Sequence, residues 1–150
     1  MGLDMFLTGK RWVPQADAAK VATNLSSIYP ELEGMTVSEL QVELLYWRKA
    51  NAIHNWFVKT CQNGVDECQY TPVDLETLTE LLEACKAVRD DHSKAMELLP
   101  PVSGFFFGST DLDEGYFQDL DYTITGIEKI LAHPEFTSGL NWSIGYQSSW

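Results

Sequence analysis

Basic residues are scarce in this 150-residue chain: 10 Lys and Arg stand against 22 Asp and Glu, a formal net charge of −12. That balance argues against general nucleic-acid binding, because Lys and Arg contacts to phosphate supply most of that affinity. It favours solubility. It fits a solvated acidic surface, or an acidic inhibitor that sits on a basic protein by imitating nucleic acid. Cysteine is also sparse. Cys61, Cys68 and Cys85 are odd in number and have no paired spacing. Neither a zinc site nor a disulfide framework is expected, and the expected home is a reducing cytosol. No apolar run approaches the roughly 20 residues of a membrane span. The opening Met1-Gly2-Leu3-Asp4-Met5-Phe6 has no basic stretch before an apolar run, so no secretory signal is expected. Nucleophile elbows, zinc motifs and dinucleotide fingerprints are missing. The expectation is no cofactor, no metal, no membrane and no nucleic acid.

What is present fits one folded domain over residues 1–150, with 45% hydrophobic and 12% aromatic residues. Leu3, Met5 and Leu7 alternate against Asp4 and Phe6, which predicts a strand over 1–13, ended by Pro14. Residues 16–25 are Ala-rich and predict a short helix; 26–34 read as loop. Thr36 with Glu39 has the form of a capping box. It predicts a helix running to Gln62 and stopped by Asn63-Gly64. Thr71-Pro72-Val73-Asp74 predicts the next helix start, with Pro72 at the first helical position. Leu75, Leu78, Leu82, Cys85 and Val88 form its apolar stripe. Pro100-Pro101 is a hard stop. Residues 103–108 predict a short buried strand, followed by Ser109, Thr110 and Asp111 as caps of a third helix. That helix presents Phe117, Leu120, Ile124, Ile127 and Leu131 to the core. Residues 140–150 predict a terminal strand, with Trp142, Ile144 and Tyr146 alternating. The fold class is α+β: about three main helices packed on a small, mostly antiparallel sheet that includes both chain termini.

One segment is unusually rich in chemistry: Tyr46-Trp47-Arg48-Lys49-Ala50-Asn51-Ala52-Ile53-His54-Asn55-Trp56-Phe57. Drawn as a helix at about 100° per residue, it places His54, Trp47, Asn51, Asn55, Arg48 and Lys59 on one stripe. Leu45, Tyr46, Ala50, Ile53, Trp56 and Phe57 face the core. Lys49 falls among the apolar residues, where it has to snorkel, pair with an acid or enter a pocket. Arginine clamps phosphate or carboxylate through two donors. Aromatic faces stack on nucleobases, asparagines read polar edges, and histidine donates to an anion or moves a proton. The alternative is structural, with Trp47 and His54 packed under a neighbouring element. The aromatic stripe is equally suited to a homodimer interface.

Two further segments are candidates for the same site. Gly108-Ser109-Thr110 lies between an expected strand and a helix start, where backbone N–H groups can hold an anion. Tyr146-Gln147-Ser148-Ser149-Trp150 is too aromatic for a frayed tail, so it reads as docked, with Tyr146 and Trp150 as pocket walls. The ligand-binding set is therefore Tyr46, Trp47, Arg48, Lys49, Asn51, His54, Gly108, Ser109, Thr110, Tyr146 and Trp150. For an enzyme, His54 is the sole acid–base candidate, and no partner for it is identifiable.

Four blocks, Met1 to Met5, Tyr46 to Phe57, Gly104 to Gly108 and Tyr146 to Trp150, resemble a family of small, mostly phage-encoded and bacterial proteins that open Met-Gly-Leu-Asp-Met. Asn51 and His54 fill the polar part of the second block; Ala50 and Asn55 stand where relatives differ. The resemblance implies a phage origin and action in the host cytosol. Small phage proteins without catalytic motifs often counter host defence, for example by sequestering the nucleotide signals of systems such as CBASS or Thoeris. Three functions are expected in order. The first is a binder of a small anionic, nucleotide-like ligand. The second is an acidic protein-binding inhibitor of a host nucleic-acid enzyme. The third is a small hydrolase or lyase using His54.

Overall fold

The computed structural model describes residues 2–150; Met1, the start of the expected first strand, lies outside the described residues. Strand β1 is Asp4–Trp12. Leu3, Met5 and Leu7 are fully buried, while Asp4, Phe6 and Thr8 on the opposite face are half-buried. That is the period of two a strand imposes. Helix α1, Gln15–Leu25, follows Pro14 and buries Ala18 and Ala22.

The expected helix over 36–62 does not form as one element. Its first part is strand β2, Glu39–Arg48, paired antiparallel with β1 along its length. Only Asn51–Cys61 is helical, as α2. The reason is visible in the residues. Leu40, Val42 and Leu44 alternate with Glu39, Gln41 and Glu43, a strand period that outweighs the capping pattern at Thr36. The register slips between Leu7 and Thr8, so that Leu44 is the extra residue of a bulge. Beyond it, Leu45 and Trp47 turn to the buried face.

Strand β3 is the two-residue Thr71–Pro72. Pro72 therefore sits on an edge strand, where a missing N–H is tolerated, and not at a helix start. Helix α3, Leu75–Asp90, is capped by Asp74, which accepts a hydrogen bond from the Thr77 N–H at 2.7 Å. Hydrogen bonding with Thr77 holds the Asp74 carboxyl below its ordinary range. A short α4, Ala95–Leu98, precedes the long α5, Glu114–Ala132. A short α6, Pro134–Thr137, leads to β4, Ser143–Ser149. Residues 103–108 are not the expected buried strand: Phe105 and Phe106 are 70% and 50% exposed, and only Phe107 turns inward. Ser109, Thr110 and Asp111 do not cap α5; the Asp113 carboxylate does, accepting from the Tyr116 N–H at 3.0 Å.

The sheet order is β2-β1-β4-β3, all antiparallel, so the strands from the two ends of the chain lie side by side. The fold is α+β, with helices packed on a four-stranded antiparallel sheet. Among the described residues no helix is long and apolar enough to cross a membrane. The core joins the inner sheet face (Met5, Leu7, Trp47, Tyr146) to Phe57 of α2, Leu78 and Leu81 of α3, and Leu120 and Ile127 of α5. Helix α5 approaches β2 closely through Gly126, because a Cβ there would overlap the Leu45 side chain. Gly126→Ala gains roughly 1 kcal/mol in helix propensity but overpacks a filled core at about 1–3 kcal/mol. The expected net result is a loss of about 1 kcal/mol in urea unfolding. A Leu45→Ala background should relieve the overlap, so that the two changes are non-additive.

Candidate functional site

The site begins where β2 ends. Arg48 is the last residue of the strand, and α2 starts three residues later. Lys49 makes the corner with φ +59°, a conformation uncommon for a residue with a Cβ and found where surrounding structure enforces it. Its N–H donates to the Leu3 carbonyl at 2.8 Å, and its own carbonyl accepts from the Asn51 N–H at 2.8 Å. Its side chain packs on Gly108, where a Cβ would stand 3.1 Å from Lys49 Cβ and the backbone φ is +91°. Glycine is required there on both counts.

Asn51 binds the neighbouring loop to this corner. Its Nδ2 donates to the Phe107 carbonyl at 3.1 Å and to the Ser109 carbonyl at 2.8 Å. Its Oδ1 accepts from the Val102 N–H at 3.1 Å. One helical turn on, Asn55 Nδ2 donates to the Pro100 carbonyl at 3.0 Å. The two asparagines thus clamp residues 100–109 against α2. Asn51 is 4% exposed and its amide is committed to the loop.

The corner, the clamped loop and the first half of α5 enclose a cleft of about 290 Å³. Its lining joins Arg48, Lys49, the start of α2 (Ala52, Ile53) and Gly108-Ser109 to Asp111, Asp113, Tyr116 and Asp119. Ala50 is the N-cap of α2 and supplies no side-chain cap, and no acid stands in the first turn. The first-turn amides are therefore left with their partial positive charge. Neither Arg48 nor Lys49 forms an ion pair among the described residues.

The chain matches no protein-family model, no curated protein and no solved structure. Function has to be read from the site itself.

Five of the sequence-derived candidates meet at this cleft: Arg48, Lys49, Asn51, Gly108 and Ser109. Tyr46, Trp47, His54, Thr110, Tyr146 and Trp150 do not line it. Tyr46 lies on the outer sheet face, its hydroxyl donating to Asp4 Oδ1. That hydrogen bond, with desolvation, raises the phenol, while the nearby Arg48 guanidinium opposes the shift. Trp47 is 2% exposed in the core, where its Nε1–H donates to Thr123 Oγ1 at 2.8 Å. Thr110 is exposed.

His54, Tyr146 and Trp150 form a second cluster, the first two buried and Trp150 50% exposed at its edge. His54 is 1% exposed. Its Nδ1 lies 2.7 Å from the Tyr146 hydroxyl and its Nε2 2.8 Å from Asp66 Oδ2. The tautomer with its proton on Nε2 satisfies all three groups: Nε2–H donates to Asp66, and the Tyr146 O–H donates to Nδ1. Trp150 Nε1–H donates to the other Asp66 oxygen at 3.1 Å. Tyr146 stacks on Phe57 at 4.0 Å between ring centroids, and Phe107 meets both His54 and Trp150 edge-on. Burial holds the Tyr146 hydroxyl well above its ordinary range, with Asp66 adding to the effect. The cluster pins the last residue of the chain to the 66 loop. Phe107 links it to the cleft loop.

Sequence reading missed Asp66 as the partner of His54, because a 12-residue separation across an irregular loop carries no period. It also missed Asp119. A signal existed: Tyr116, Asp119 and Thr123 are spaced three and four, one stripe of α5, and both flanking residues are buried. Burial, then Asp113, pushes the Asp119 carboxyl up to about 6 from 3.8. The sign follows from linkage. A carboxyl raised above its unfolded value disfavours folding increasingly as pH rises from about 4 to about 6. A cost of this kind, in a cleft, marks a functional candidate. Among the described residues no cluster of His, Cys, Asp or Glu is arranged to hold a metal ion.

Proposed function

We propose that this protein binds a small anionic, nucleotide-like ligand in the cleft at the β2–α2 corner. One observation carries this reading. In a chain of net charge −12, two cations with no ion-pair partner among the described residues stand beside the uncapped start of α2, at the rim of one cleft. Helix N-termini and guanidinium groups are the two commonest devices for holding phosphate. The phage origin implied by the sequence resemblance extends the reading to sequestration: the protein would hold a host nucleotide signal without converting it and so blunt a defence. The buried, fully partnered His54 lends no support to a hydrolase or lyase.

The test is a thermal-shift and calorimetric screen of the full chain against mononucleotides, cyclic dinucleotides and ADP-ribose derivatives. At least one should raise the melting temperature, and a flat response across the panel would refute the proposal. Arg48→Ala should then weaken the bound ligand about 10–100-fold, the worth of one charge-assisted hydrogen bond. Its melting temperature should stay near that of the parent, since an exposed substitution shifts stability by about 0.5 kcal/mol or less. Retained affinity in Arg48→Ala would remove Arg48 from the site.

A second reading, an acidic protein-binding inhibitor, draws on a different surface. Trp12 and Leu140 are 74% and 85% exposed and share a shallow depression at the far end of the β1–β2 ribbon. It predicts a salt-sensitive protein partner whose capture is indifferent to Arg48→Ala.

A further inference from the structure

The lining of the cleft carries both charges: Arg48, Lys49 and the start of α2 are positive, and Asp111, Asp113 and Asp119 are negative. A ligand that is anionic throughout would be repelled by the acids. Neither cation reaches an acid within ion-pair distance among the described residues, so the opposed charges remain open to a guest.

The three acids are not equivalent. Asp111 is exposed. The Asp113 carboxylate is occupied in capping α5. The Asp119 carboxylate is half-buried and accepts no hydrogen bond among the described residues. Its backbone is nonetheless fixed. Trp47 Nε1–H donates to the Thr123 hydroxyl at 2.8 Å, which donates to the Asp119 carbonyl at 2.6 Å. Trp47 adjoins Arg48 on β2, so the positive rim and the Asp119 backbone are tied by one short chain of hydrogen bonds. A half-buried carboxylate that no protein donor reaches has only partial hydration to offset its burial. Donors on a ligand would supply the rest.

A carboxylate takes two parallel N–H donors, as it does from arginine. Among the common nucleobases, guanine presents two such donors side by side on its pairing edge, N1–H and the N2 amino group. Adenine presents one amino group beside an acceptor lone pair, which a carboxylate repels. A cleft of about 290 Å³ lies at the small end of ligand pockets, which suits one base and one phosphate group. Resting on the nucleotide reading above, we propose that Asp119 is a specificity residue, accepting the paired N–H donors of a guanine base whose phosphate lies on Arg48, Lys49 and the start of α2.

The experiment is calorimetric titration of the full chain with GMP, AMP and inorganic phosphate at neutral pH. GMP should bind about 10-fold or more tighter than AMP, the usual discrimination of a good bidentate pair, and phosphate more weakly than either. In Asp119→Asn the amide offers one donor and one acceptor. GMP should fall to the level of AMP while phosphate binding is kept. This variant should also melt higher than the parent at neutral pH, since it removes a half-buried charge, and that readout reports an intact fold. Equal affinity for GMP and AMP in the parent, or a guanine preference that survives in Asp119→Asn, would overturn the base assignment and leave the nucleotide site standing. Failure of all three probes to bind would overturn this inference together with the reading it rests on.

Discussion

Asn51→Ala is expected to lower the unfolding free energy by about 3–4 kcal/mol. Three backbone groups lose their partner at once: the Phe107 and Ser109 carbonyls and the Val102 N–H. A buried group left unpaired costs about 1–3 kcal/mol; the Phe107 carbonyl is the buried one, while the other two bonds are partly buried and can rehydrate in part. Urea unfolding gives the stability, and limited proteolysis reports release of the 100–109 loop. A loss below about 1 kcal/mol would mean that the loop is held by packing of Phe107 and not by the amide. Asn51→Asp separates the two roles of the side chain. It keeps an acceptor for the Val102 N–H but turns a carboxylate oxygen toward two carbonyls, so it should be no better than Ala. Ligand affinity should fall in both variants, because Gly108 and Ser109 form part of the cleft.

His54→Ala is expected to cost about 3–5 kcal/mol, combining a core cavity with two abandoned partners. The Tyr146 hydroxyl is fully buried and has no other acceptor among the described residues. Asp66 keeps the indole of Trp150 and some solvent contact, so the tyrosine side dominates the loss. Tyr146→Phe in the His54→Ala background should recover part of it, since removing both members of a buried pair costs less than stranding one. Binding in the cleft should persist in the folded fraction, because His54 does not line it. Unchanged stability with lost turnover of a nucleotide would instead restore His54 as an acid–base group.

The two experiments divide the segment 46–57 in a way its sequence does not. Read as one helix, it places Trp47, Arg48, Asn51 and His54 on a common stripe. In the structure Trp47 and Arg48 point to opposite sides of a strand. Asn51 faces the loop, and His54, one turn later, faces the sheet and Tyr146. The error has a physical source. A bulge at Leu44 puts two buried residues, Leu45 and Trp47, out of phase with the alternation before it. A broken period of two over a short run resembles a period of 3.6. The Thr36 and Glu39 pattern then gives a false start signal. The positive φ at Lys49, which marks the true boundary, is invisible at a lysine, because sequence rules look for glycine or asparagine there. The third block shows a related limit. Three consecutive phenylalanines read as a buried strand. The turn at Phe106, φ +59°, exposes two of them and delivers Phe107 to His54 and Trp150.

The residues alone determined the features that depend on local period and on net composition. These are the strands at both ends of the chain, the amphipathic face of α3, the buried Leu120 and Ile127 of α5 (Phe117, Ile124 and Leu131 of its expected face are only half-buried), the α+β class, and the placing of the scarce cations beside a polar-aromatic block. Each follows from burying one face of an element, which a single segment can signal without its neighbours. The tertiary structure alone decided which candidates share a site. It sent Arg48, Lys49, Asn51, Gly108 and Ser109 to an open cleft and His54, Tyr146 and Trp150 to a separate network around Asp66. It also brought in Asp119 and Asp66 from segments with no motif. Burial and hydrogen-bond partnership are properties of pairs of segments. Here the deciding pairs, β2 with β1, α2 with the 100–109 loop, and α5 with β2, join residues far apart in the chain, where no local pattern records the contact.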